Sequence, residues 1–193
     1  LTESPARNGR GFFIPLPFTL MPRRLTLLSI RPASRSDAEA AFDIRRQAIR
    51  HQCSTVYTAE QISVWTEMPL TDGYRDSVEQ NYHIACDDEQ PVATGFIDLQ
   101  SGEIGAIFVL PAFMEQGIGR RVLAHLEQLA LAAGLVDIHL DATPNAAAFY
   151  RRCGYEGQAQ AIYFSPTGLE LQCVPMRKRL RIEAAASSTT AGA

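Results

Sequence analysis

The spacing of apolar and polar residues changes period several times along the chain, and each change marks an element. Residues 25–33, LTLLSIRPA, alternate and are rich in aliphatics, which predicts a strand. Ser36 and Glu39 form a capping-box pattern, and the spacing after them predicts a helix to about residue 51 with Phe42, Ile44, Ala48 and Ile49 facing inward. Thr58 and Gln61 repeat the pattern and open a second helix carrying Ile62 and Trp65, which Pro69 and the TDG of residues 71–73 end. The period then falls to two. Residues 82–88, 91–99 and 102–110 read as three strands joined by short turns, as in antiparallel hairpins. Ile118, Val122, Leu126, Leu129 and Ala133 return to helical spacing, with Gly134 as the stop. Residues 136–143 alternate again. A strand reached through a helix lies parallel to the strand before that helix. A short helix over residues 145–154 and strands over 155–164 and 170–180 complete the pattern. The expected fold is α+β: a mixed, mostly antiparallel central sheet flanked by helices, in one domain over residues 25–180.

Composition adds little to that picture and removes several alternatives. The 193 residues suffice for one core. A net charge of −3 argues against a general nucleic-acid binder. The apolar run of residues 11–20 follows Arg7 and Arg10 like a leader, but it is too short to span a bilayer and contains Pro15 and Pro17. No small-residue cleavage site follows it, so Met21 reads as the natural start. Residues 1–24 then form an extension that is disordered or not native, and residues 181–193 form a mobile polar tail. Cys53, Cys86, Cys153 and Cys173 form no C-x-x-C pair, which gives no support for a metal or redox site. Free thiols fit a cytoplasmic protein with no membrane attachment.

The chemistry concentrates at PAFMEQGIGRRVL, residues 111–123. Gly117 and Gly119 stand where a helix begins. The first amides of a helix have no internal partners and carry partial positive charge, and glycine lets an anion approach them closely. The P-loop pattern G-x-x-x-x-G-K-[ST] is absent. A dinucleotide loop is also absent, because the third glycine of G-x-G-x-x-G is missing and the preceding strands are antiparallel. Two readings remain: a diphosphate over the first turn of this helix, with Arg120 and Arg121 adding attraction, or a plain glycine-bearing turn at a helix start.

The order of elements, with GEIGAIFVLPAFMEQGIGRRVL at residues 102–123 and LDATPNAAAFYRRCGY at residues 140–155, resembles the GCN5-related N-acetyltransferase (GNAT) superfamily. The segment IRHQCSTVYTAEQISVW looks like a bacterial subgroup of it whose acceptors are uncharacterised. The resemblance implies acetyl-CoA as co-substrate, no metal, and a small-molecule or peptide primary amine as acceptor. It also implies pairing of two copies, which is common in the family. The family's acyl-CoA loop, Arg/Gln-x-x-Gly-x-Gly/Ala, falls on Met114, Glu115, Gln116, Gly117, Ile118 and Gly119, followed by Arg120. Met114 departs from the family's Arg or Gln, and Glu115 puts an anion beside the diphosphate. Tyr150 takes the place of the family's general acid at the leaving sulfur, with packing beside Phe149 as the plain alternative. Phenol and thiol pKa values lie within about one or two units of each other, so that exchange is reasonable. Asn145 matches an asparagine that holds the pantetheine arm, and it also suits a helix N-cap. A backbone N–H at Phe108 or Val109 is the expected donor to the thioester carbonyl, with the pantetheine adding to that strand. Glu103 is the leading candidate base and Asp98 the second; a solvated carboxylate at a turn is the plain alternative for both. His83 and His139 read as structural, and His125 as exposed. The resulting expectation is an N-acetyltransferase working by direct attack in a ternary complex. A non-catalytic acyl-CoA-binding regulatory domain and a nucleotide-binding enzyme of another class are the alternatives.

Overall fold

The computed structural model describes residues 27–165 and 168–181. The expected extension at residues 1–24, the proposed start at Met21 and nearly all of the expected tail lie outside the described residues. Seven strands make one sheet in the order β1-β2-β3-β4-β5-β7-β6. They are β1 (Leu28–Pro32), β2 (Tyr82–Asp87), β3 (Gln90–Asp98), β4 (Glu103–Val109), β5 (Asp137–Ala142), β6 (Ala161–Phe164) and β7 (Glu170–Arg179). Every neighbouring pair is antiparallel except β4 and β5, which are parallel as the intervening helix requires. The helices are α1 (Ala38–Gln52), α2 (Ala59–Thr66), α3 (Asp72–Asn81), α4 (Ile118–Ala132) and α5 (Ala147–Arg152).

Strand alternation assigns the two faces. On one, α4 buries Ile118, Val122, Leu123, Leu126 and Ala130 against Ala93, Ile97, Ile104, Ile138 and Leu140. Each such fully buried aliphatic side chain contributes roughly 1.5–3 kcal/mol. Gly95 makes the contact possible, since a Cβ there would meet Val122 Cγ1 at 2.5 Å. On the other face, Ala38 and Ala41 of α1 and Val78 of α3 pack with Ile84 and Cys86 of β2. Ile49, Cys53 and Tyr57 pack there with Leu171 of β7.

The structure moves several local features from where the pattern puts them. The box before α1 is Ser34 with Asp37, not Ser36 with Glu39: the Asp37 carboxylate accepts from Ser34 N at 2.7 Å and Ser34 Oγ at 2.8 Å. Arg31 grips the same carboxylate with two 2.8 Å bonds, so Asp37 serves the tertiary fold as well as the cap and is held well below the usual carboxylate range, first by Arg31. The box at Thr58 and Gln61 is present in both directions. The helix α3 has no counterpart in the pattern. It is polar, buries only Val78, and is capped by Thr71, whose side chain accepts from Tyr74 N. The strand expected over residues 155–164 is reduced to β6, with Glu156 making a single bridge to Arg177.

His125 is half-buried rather than exposed, with Nε2 3.0 Å from Nδ1 of His83. Burial, and then the neighbouring His125, lower the His83 pKa to about 4. An unfolded histidine titrates near 6.5. His83 therefore stabilises the fold fully above about pH 6.5, and that contribution drains away as pH falls toward about 4. After discounting for its partial exposure, the loss is about 1–2 kcal/mol. Urea midpoints at pH 7.5 and pH 5 should differ in the wild type and converge in His83→Gln.

Candidate active site

A bulge in β4 opens the sheet. Asp98 pairs with Glu103 and Phe96 with Ala106, so one residue of β3, Ile97, faces two of β4, Ile104 and Gly105. An extra residue of this kind bends its strand and sharpens the local twist. Beyond the bulge β4 leaves β5, and the two meet only at Glu103 opposite His139. The bulge also reverses which amides face the gap. Leu110 N donates to Val92 O at 2.9 Å, toward β3. By the two-residue repeat of a strand, the N–H of Phe108 also turns to β3, while those of Ile107 and Val109 turn to the open edge. This corrects the expectation that Phe108 or Val109 serves equally as a backbone donor. Phe108 keeps a place only through its side chain.

The gap widens into a cavity of about 260 Å³ that draws its lining from both faces of the sheet. Tyr150 enters from α5; Glu103 and Phe108 come from β4, and Asp141 from β5. Arg45, Gln52, Tyr57 and Trp65 enclose it from the α1 and α2 side, and Tyr163 from β6. Tyr150 is 8% exposed. Its ring sits edge-on between Phe149 and Tyr155, with centroids at 5.0 Å and 5.6 Å. Burial raises its pKa above the ordinary phenol value, so it stays protonated well beyond neutral pH. Glu103 is exposed at the rim. Asp98 does not reach the cavity. Its carboxylate accepts from Gln100 N and Ser101 Oγ, both at 2.8 Å, and serves the β3–β4 turn. Asp141, Arg45 and Tyr163 escaped the sequence reading. A larger open groove of about 1380 Å³ beside β5, β7 and the end of α4 contains neither Tyr150 nor the glycine loop.

At the end of β4 the chain makes a short 3₁₀ turn, Pro111–Phe113, and enters α4 at Gly117. Gly117 has φ +80°, a left-handed conformation that glycine adopts without strain. The first intrahelical bond is Arg121 N to Gly117 O, at 3.1 Å. The amides of Ile118, Gly119 and Arg120 are thus left without helical partners, and among the described residues no side chain caps them. The Ile118 side chain is buried in the core, so only its amide belongs to the loop. Gln116 Nε2 donates to Ala112 O and stiffens the turn. The Arg120 side chain leaves the loop for a groove shared with Arg152 and Lys178. Arg121 donates to Leu28 O at 3.0 Å, which anchors it to β1, so any attraction it adds for the diphosphate acts at a distance and not by contact. Glu115 is exposed at φ +61°, a left-handed position costly for a residue with a Cβ.

These features form one track. The open amides at the start of α4 lead past the free edge of β4 to the phenol of Tyr150. Residues 53–180 match the family described as the acetyltransferase (GNAT) domain. The chain belongs to this family. A probable glucosamine 6-phosphate N-acetyltransferase 2 of Oryza sativa subsp. japonica is 37% identical over 65 residues, which are 33% of this chain and 39% of that protein. A GCN5-related N-acetyltransferase of Rhodopseudomonas palustris is similar in structure, with a TM-score of 0.74 at 23% identity over 81% of this chain and 98% of that one. The PaiA N-acetyltransferase of Thermoplasma acidophilum, solved in complex with coenzyme A, gives 0.62 at 15% identity over 80% and 99% of the two chains. The mixed sheet of this GNAT acetyltransferase is the fold of those enzymes. Among the described residues no helix is long and apolar enough to cross a membrane.

Two details of this GNAT site differ from the sequence expectation. Asn145 is not the N-cap of α5, because Ala146 holds that position. Instead Asn145 Nδ2 donates to Gln52 O at 3.1 Å. The Gln52 side chain in turn donates to Met114 Sδ at 3.1 Å. The end of α1 thereby ties the α5 wall to the glycine loop, and Met114 is a strut where a charged or amide side chain was expected. Glu115→Gly should relieve the left-handed strain and remove an anion from the loop. Its thermal midpoint should hold or rise, and coenzyme A should bind a few-fold more tightly by calorimetry, consistent with about 1 kcal/mol for a single charge in a watery setting.

Proposed function

We propose that this GNAT acetyltransferase moves the acetyl group of acetyl-CoA to a primary amine by direct attack, with both substrates bound together. The observation that carries the reading is the gap between β4 and β5, into which Tyr150 and the outward side of β4 both face. The donor site suits acetyl-CoA. Unpartnered amides of Ile118, Gly119 and Arg120 suit the diphosphate, and a Cβ at Gly119 would find no atom closer than Val109 Cγ2 at 3.7 Å, so the approach stays open. The free edge of β4 suits an extended pantetheine, with Asn145 beside it. Acetyl-CoA supplies a thioester carbonyl and a thiol as leaving group.

The protein supplies the rest. The amides of Ile107 and Val109 are placed to stabilise charge developing on the carbonyl oxygen. Glu103, directly or through water, takes the amine's proton, with Asp141 as its neighbour on the rim. Tyr150 gives its phenolic proton to the departing sulfur. An acetylated cysteine is the poorer reading. Cys53 and Cys173 line the cavity, but burial pushes the Cys53 thiol up to about 11 and raises that of Cys173 as well. Thiolate, the nucleophilic form, is then scarce at neutral pH.

The test is release of free coenzyme A thiol from acetyl-CoA across an amine panel, with mass spectrometry of the product. A product heavier than one amine by a single acetyl group is the expected result. Coenzyme binding with no turnover on any amine would favour a regulatory acyl-CoA-binding domain instead.

A further inference from the structure

We propose that the acceptor of this enzyme is a small amine that carries its own anionic group, a carboxylate or a phosphate, and that Arg45 holds that group. The inference rests on the acetyltransferase reading above and names the substrate class of the same cavity.

Arg45 sits on the inward stripe of α1, in register with Ala41, Ala48 and Gln52, and lines the cavity. Among the described residues no carboxylate stands within ion-pair distance of it. Arg46, its chain neighbour, also lacks an ion pair among the described residues but stacks over the Phe42 ring at 5.8 Å and does not line the cavity; other arginines are paired. Arg31 pairs with Asp37, Arg35 with Asp72 and Asp76, and Arg75 with Glu39. Arg50, one turn on from Arg46, donates to Thr66 Oγ1. The groups that act electrostatically on Arg45 are the hydroxyls of Tyr74, Tyr82 and Tyr163, neutral at physiological pH, and burial is what most disfavours its charge. A guanidinium withdrawn from water without an anion is costly, and its planar fork matches carboxylate and phosphate oxygens in pairs. The missing partner is best supplied by the ligand.

The same cavity also carries the opposite sign. Glu103 and Asp141 line the same cavity from β4 and β5. Neither appears among the groups acting on Arg45, yet the Tyr163 hydroxyl feels Glu103, Asp141 and Arg45 together. Tyr163 lines the cavity within electrostatic reach of both the cation and the two carboxylates. An ammonium drawn to the carboxylates, with an anion drawn to Arg45, matches both. This arrangement places the amine next to the candidate base. Tyr57, whose hydroxyl donates to Gln172 O at 2.6 Å, and Trp65 add an aromatic lining to the same cavity, with rings edge-on at 5.6 Å.

Trp65 is the sole tryptophan of the chain and lines this cavity, so its fluorescence reports binding without any need for chemistry. The experiment uses matched probes: a set of amino acids against their carboxamides, phosphoethanolamine against ethanolamine, and a neutral amidated peptide. Each is read by Trp65 fluorescence and by thiol release from acetyl-CoA. In the wild type the anionic member of a pair should have at least tenfold higher kcat/KM, expressed in KM. The better of the carboxylate and phosphate series identifies the group. In Arg45→Gln that advantage should shrink to within about twofold while coenzyme A binding, read by calorimetry, is unchanged; Arg45→Lys should restore part of it. The proposal is overturned if wild type favours neutral members or the peptide, if no pair is told apart by either readout, or if Arg45→Gln keeps the preference. An Arg45-dependent fluorescence response without any acetyl transfer supports the anion site and instead contradicts the acetyltransferase reading of it.

Discussion

Tyr150→Phe should lower turnover on the order of a hundredfold or more while leaving coenzyme A affinity within about threefold, the range expected when one positioned proton donor is lost. The substitution removes a single oxygen. The ring that packs edge-on between Phe149 and Tyr155 remains, so the core around α5 is preserved. No hydrogen bond ties the Tyr150 hydroxyl to another described residue, so the variant leaves no protein group without its partner. Stability should be unchanged or slightly raised. The phenol is protonated at neutral pH at its ordinary pKa, and burial raises that further, so it gives up its proton only as the sulfur gains charge. The check is steady-state thiol release beside a calorimetric titration of the same variant. Turnover within a few-fold of wild type would remove Tyr150 from the chemistry and leave it as packing.

Gly119→Ala should weaken coenzyme A binding by tenfold or more and leave the fold intact. A phosphate oxygen accepting from an open backbone amide makes a charge-assisted bond worth about 1.5–3 kcal/mol, so the loss of one is about tenfold or greater. The added methyl finds only ordinary contacts in the protein, Val109 Cγ2 at 3.7 Å and Phe149 Cζ at 3.8 Å, and it lies within α4, where alanine is a better helix former than glycine. A thermal midpoint at or above wild type, together with weaker binding, separates a blocked approach from a damaged fold. Gly117→Ala provides the contrast. That position needs φ +80°, so an L-residue there costs about 1–2 kcal/mol of stability before any ligand is considered.

Elements that declare themselves through period alone were legible in the sequence. The hairpins of β2, β3 and β4 and the long helix α4 lie within a residue or two of their expected bounds, because strict alternation and a continuous apolar stripe leave few other folds. The helix α3 was not legible. Its ten residues, DGYRDSVEQN, carry only Tyr74 and Val78 as inward anchors, and tertiary contact rather than pattern decides their state. The pairing of Ser34 with Asp37 was hidden because Arg31, from a neighbouring strand, recruits that carboxylate.

At the site, the glycine loop came from a local motif and Tyr150 from the family resemblance, whereas residues that the fold gathers around the same cavity were missed. Asp141 looked like one outward position of an alternating strand. Only the departure of β4 from β5 makes it a cavity residue. Arg45 did leave a trace: it is a charge on the same helical stripe as Ala41 and Ala48, where an apolar residue is expected. The bulge in β4 is a matter of register and has no residue signature of its own.

The account depends most on the open amides at the start of α4 taking a diphosphate. Calorimetric titration of the protein with coenzyme A and, separately, with pantetheine tests this directly, since the two share the thiol arm and differ in the diphosphate and nucleotide. Coenzyme A should bind one per chain and at least tenfold more tightly than pantetheine, with Gly119→Ala removing most of that difference. Equal affinities, or no heat with coenzyme A at saturating concentration, would contradict the account.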